Sequence, residues 1–79
     1  MTEEDARALA EFIKDHDKRF EAKARPEGDT STVLLTLASD GTSLEPVATL
    51  AEYEQTQIAG DDPGPTVRAA WKAWLQRRG

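Results

Sequence analysis

Over the first twenty positions, apolar residues recur at the spacing of a helix. At about 100° per residue, Ala6, Leu9, Ala10, Ile13, His16 and Phe20 fall on one side with Phe12 at its edge, while Glu4, Arg7, Glu11, Lys14, Asp15 and Lys18 fall opposite. Thr2, followed three residues later by Asp5, resembles a capping box with the shorter acid. Glu3, Glu4 and Asp5 complement the positive end of the helix dipole. The pattern predicts a helix from Thr2 to about Lys18. From Phe20 the period drops to two, with Phe20, Ala22 and Ala24 alternating against Glu21, Lys23 and Arg25, as a strand would have it.

Residues 25–30 place Pro26 and Gly28 for a turn, and residues 32–38, β-branched and apolar, form the best strand in the chain. Residues 39–42 carry Asp40-Gly41, a pair that tolerates the positive φ of hairpin turns. Beyond them two periods compete. Val47, Thr49, Ala51 and Tyr53 alternate with Ala48, Leu50, Glu52 and Glu54, whereas Leu44, Val47, Leu50, Ala51 and Ile58 make a helical stripe behind Ser43. The strand is favoured because a lone hairpin is marginal and Thr49, Tyr53, Thr56 and Ile58 prefer extended backbone; Pro46 then belongs at a strand start or an edge. Residues 59–66 break the pattern. Asp62 before Pro63 is a good N-cap for a last helix with Val67, Ala70, Trp71, Trp74 and Leu75 on one arc and Arg68, Lys72 and Gln76 on the other.

The expected fold is one small α+β domain spanning residues 1–79, with element order α-β-β-β-α. It is a three-stranded antiparallel meander with both helices on one face; the alternative, with residues 44–58 helical, is α-β-β-α-α. The expected core is Leu9, Ile13, Phe20, Val33, Leu35, Leu37, Val47, Tyr53, Val67, Trp71 and Trp74, with Phe12 and Leu75 at its margin. If Val33, Leu35 and Leu37 face the helices, Leu34 and Ala38 face away, and Ala48 and Leu50 of a third strand would join them. Such a patch is the candidate interface.

Composition narrows the choice. The chain has 79 residues and a net charge of −5, but residues 1–66 hold all fifteen acids and six bases, whereas residues 67–79 hold four bases and no acid. A body at −9 opposes binding that depends on many phosphate contacts, so no nucleic-acid partner is expected. The sequence has no cysteine, no long apolar run and an acidic start where a signal peptide is basic. A cytoplasmic protein without disulfides or membrane contact is the expectation.

No side-chain constellation predicts catalysis, a cofactor or a metal. His16 lies on the core side of the first helix, where a histidine is usually packing, and its neighbours Asp15 and Asp17 point elsewhere. Asp61 and Asp62 lack the spaced acids of a calcium loop, and Ser31, Ser39 and Ser43 lack the setting of an elbow nucleophile. Glu52 and Glu54, on one face of a strand, read as edge protection. Trp71 and Trp74 share the apolar stripe of the last helix with Val67, so packing explains them better than a stacking platform. The order α-β-β-β-α is also that of double-stranded RNA-binding domains, a likeness at the level of fold alone. Those domains carry lysines at the start of the last helix, where this chain has residues 63–68 behind two aspartates. The expected function is a non-enzymatic protein–protein interaction module, self-associating or docking a protein partner through the sheet. The alternatives are nucleic-acid binding by the basic C-terminal helix, or an acidic nucleic-acid mimic acting as an inhibitor.

Overall fold

The computed structural model describes residues 1–58 and 67–78. Within them the order is α1 (Glu3–His16), β1 (Phe20–Glu27), β2 (Thr30–Leu37), α2 (Leu50–Ile58) and α3 (Val67–Arg78). The class is α+β, as the sequence predicts, but the three-stranded meander is not formed. The sheet has two antiparallel strands, and residues 50–58 are helix.

α1 begins as the sequence indicates, with the Thr2 hydroxyl accepting from the Asp5 N–H at 3.1 Å. It ends two residues before the predicted Lys18, because Asp17 turns extended (φ −130°, ψ 104°) and leads the chain toward β1. The two strands pair from Phe20 opposite Leu37 to Glu27 opposite Thr30. That pairing leaves a two-residue turn in which Gly28 takes φ +58° and Asp29 does not go positive, the pattern of a type II′ turn. Pro26 is therefore the penultimate residue of β1 rather than part of the turn.

The returning chain after Gly41 runs beside β2 without becoming a strand. Leu37 N–H donates to Thr42 O, Leu44 N–H to Leu35 O, and Val33 and Val47 exchange both backbone bonds, all at 2.8–3.0 Å. Between the bridges Thr36 to Ser43 and Val33 to Val47, two residues of β2 stand against three of the returning chain, so one residue bulges out. Pro46 lies inside this bulge and has no N–H to give. Pairing then stops at Thr49, whose hydroxyl accepts from Glu52 N–H at 3.1 Å while the Glu52 carboxylate accepts from Ala48 N–H at 2.8 Å. The Thr49 hydroxyl satisfies a helix-end donor and the Glu52 carboxylate holds the residue before the cap, which commits the next residues to α2. At the other end of the same lane, Ser31 N–H donates to Met1 O and the Met1 amino group to Ser31 O. β2 thus has partners along both sides.

The buried core is Ala6, Leu9, Ala10, Phe12, Ile13, Phe20, Ala22, Val33, Leu35, Val47, Tyr53, Val67 and Trp74. Leu37 and Trp71, expected inside, are half-buried against this cluster, and Leu75 is exposed. Phe12, expected at the margin, is 1% exposed and sits at the centre. Its ring stacks on His16 at 5.0 Å and meets Tyr53, Trp71 and Trp74 edge-on at 6.3, 5.0 and 5.9 Å. One side chain of α1 therefore holds both α2 and α3. The predicted cap at Asp62 lies outside the described residues. Among the described residues no helix is long and apolar enough to cross a membrane.

Phe12→Ala is expected to cost about 3–5 kcal/mol, comparable with the whole stability of a domain this size. Thermal melting followed by circular dichroism should show the fold lost or nearly so. Leu75→Ala, on the exposed side of α3, should shift stability by less than about 0.5 kcal/mol.

Candidate functional site

Strand alternation assigns the two faces of the sheet. Val33, Leu35 and Leu37 face α1 with their register partners Ala24, Ala22 and Phe20. The outer face carries Glu21, Lys23, Arg25 and Glu27 from β1 opposite Thr36, Leu34, Thr32 and Thr30 from β2. α2 lies on the inner side, where Tyr53 reaches Phe12, and α3 reaches the same ring through Trp71 and Trp74.

The four residues proposed as an interface are not brought together as expected. Leu34 is half-buried on the outer face and Ala38 is exposed just past the end of β2. Ala48 is half-buried, its N–H held by Glu52. Leu50 opens α2 and packs against the core, so it cannot extend a stripe from Leu34 along a third strand. The outer face is therefore one leucine in a row of threonines, flanked by charges of both signs. Thr32 in that row is buried with its hydroxyl unpartnered among the described residues.

Leu34 instead belongs to an open depression of about 310 Å³ that it lines with Thr36, Glu21, Lys23, Ala22 and Lys14. The depression runs from the outer face over the edge of β1 to α1. Sequence reasoning stopped at Leu34 and did not reach Glu21, Lys23 and Lys14. The available signal was the alternation of Glu21, Lys23 and Arg25, which marks a strand with one charged face.

The basic helix is partly neutralised within the chain. Arg68 pairs with Glu54 at 2.9 Å, and Arg78 pairs with Glu11 at 3.3 Å while lying 5.0 Å over the Trp74 ring. Trp74 donates its indole N–H to Asp15 at 3.3 Å and stacks on Trp71. His16 is occupied as a stacking partner of Phe12 rather than set beside a nucleophile. Glu52 and Glu54, read as neighbours on a strand, sit on α2 and serve the helix cap and the Arg68 pair. Among the described residues no group of three His, Cys, Asp or Glu could hold a metal ion. Asp61 and Asp62 lie outside the described residues.

Among the described residues the most enclosed carboxylate is that of Asp17, 5% exposed. Its carboxylate accepts from Arg19 N–H and Nε at 3.1 Å, from Arg19 Nη2 at 3.0 Å and from the Tyr53 hydroxyl at 3.1 Å. Burial pushes its pKa up. The hydrogen bonds from the Arg19 side chain and backbone, the guanidinium charge and the Tyr53 hydroxyl outweigh this and hold it below the ordinary aspartate value. Exposed Asp40 is also lowered, by its hydrogen bonds to Thr42. Asp17 is saturated by its own fold and joins α1, β1 and α2.

Because its folded pKa is depressed, the stability Asp17 contributes is fully present above the unfolded value of about 3.9 and is lost as pH falls through the lower folded value. Asp17→Asn should lose about 1–3 kcal/mol at neutral pH. It should also flatten the fall in stability below about pH 4, as read from urea melts across pH. No protein-family model, curated protein or solved structure matches this chain, so the reading of its surface rests on the geometry above.

Proposed function

We propose that the chain is a small non-enzymatic protein–protein interaction module that docks through the open side of its sheet. One observation carries this reading. Every described helix packs on the inner side, whereas on the outer face Leu34 and Thr36 are half-buried and line an open depression that leads over β1. A half-buried leucine lining a depression together with charged side chains offers apolar burial and orientation together. The intramolecular pairing of Arg68 and Arg78 leaves the C-terminal helix less positive than its sequence implies, and this supports a protein partner over a nucleic acid.

Leu34→Lys tests the reading. On a half-buried outer position it should cost less than about 1 kcal/mol of stability. In an interface it strands an ammonium and removes the burial, so association should weaken at least about tenfold. Sedimentation of both forms, with affinity capture on the immobilised chain, measures this. Equal behaviour of the two forms, with the fold intact, would sink the reading.

A further inference from the structure

α3 is held to the domain by few side chains. Of its twelve residues Val67 and Trp74 are buried, whereas α1 buries five of its fourteen. Three polar ties fasten it, each with the donor on α3 and the carboxylate on the helix beneath. Arg68 donates to Glu54 of α2 at 2.9 Å, the Trp74 indole to Asp15 of α1 at 3.3 Å, and Arg78 pairs with Glu11 of α1 at 3.3 Å. The side chains of Arg68 and Arg78 are 71% and 52% exposed, and ion pairs so placed are weak and screened by salt. Between these ties Trp71 and Trp74 lie against Phe12. The fit is incomplete. An open cleft of about 430 Å³ runs along the seam, with Phe12, Asp15 and His16 on the α1 side and Ala70, Ala73 and Trp74 on the α3 side. The two alanines are too short to fill it, and His16 beside them stays half-buried.

We infer that α3 is the exchangeable occupant of a helix-binding groove on α1 and α2, and that the groove takes a basic amphipathic helix of another protein. That helix carries an aromatic anchor over Phe12 and a larger aliphatic side chain where α3 has Ala70. The groove is on the inner side of the molecule and is separate from the outer face around Leu34. Charge selects the sign of the partner. Residues 1–66 hold fifteen acids against six bases, and Glu11, Asp15 and Glu54 are the carboxylates that α3 already uses. A basic helix is drawn to such a surface, and an acidic helix or a nucleic acid is turned away. The cleft selects against a second copy. The α3 of another molecule brings the same two alanines together with a body of the same negative sign, and it buries nothing that the helix already there does not. A leucine at the position of Ala70 adds the burial that α3 lacks. Exchange proceeds by release of α3, since local opening costs least where few apolar groups are buried and a twelve-residue helix is marginal in water on its own.

The probe is a fluorescein-labelled peptide with the sequence of residues 67–78 and leucine in place of Ala70, titrated against the full chain by fluorescence anisotropy. Arg68→Glu combined with Arg78→Glu turns both surface pairs into repulsions and loosens α3 in its own chain. The doubly substituted chain should therefore bind the peptide at least about tenfold more tightly than the parent. The peptide that keeps alanine should bind more weakly than the leucine form, and added salt should weaken both. Tryptophan emission reports on α3 directly, because Trp71 and Trp74 are the two tryptophans of the chain. In the double variant it should move to the red while circular dichroism retains the signal of α1 and the sheet. Equal affinity of parent and variant for the peptide, or binding to neither, overturns the inference. A variant that loses all of its structure also overturns it, because α3 would then be part of the core rather than an occupant. If the parent sediments as a dimer that the double substitution dissociates, the occupant is a second copy and the partner class is wrong.

Discussion

A carboxylate buried at the end of the first helix sets the path of the whole chain. Asp17 takes the last backbone bond of α1, turns the chain, and accepts from Arg19 at the entrance to β1 and from Tyr53 on α2. A buried charge is tolerated only when its hydrogen bonds are nearly complete, so these partners must arrive together. The angle between α1 and β1 and the seating of α2 are thereby linked. Phe12, just over one turn earlier on α1, turns the same linkage into packing by meeting the rings of α2 and α3.

Elements defined by local signals were legible in the sequence. Thr2 and Asp5 mark the start of α1, the change of period at Phe20 marks β1, and residues 32–38 mark β2. Residues 44–58 were misread because alternation at Val47, Thr49, Ala51 and Tyr53 was weighed without the cap. Thr49 followed by Glu52 is a capping pair visible in the sequence, and it outweighs the extended preferences of Tyr53 and Thr56. Phe12 was set at the margin because periodicity assigns a face to one helix at a time. Its centrality arises only when α2 and α3 close over it. Asp17 gave no sequence signal at all, since its partners include a residue 36 positions away.

The surface was harder to read for a related reason. Leu34 was correctly turned away from the helices by alternation, but its supposed neighbours depended on a third strand. With Leu50 drawn into the core by α2, the outer face became a polar row around a single leucine.

The hairpin of β1 and β2 closes through two residues, and α1 adjoins it directly in the sequence. Among the described residues the most extensive contacts between elements are thus between segments that follow one another along the first half of the chain. Little chain entropy is spent in closing loops before those contacts form, the condition under which small domains fold quickly. In synthesis from the N-terminus, every residue of that helix-on-hairpin layer is present before α3 is made.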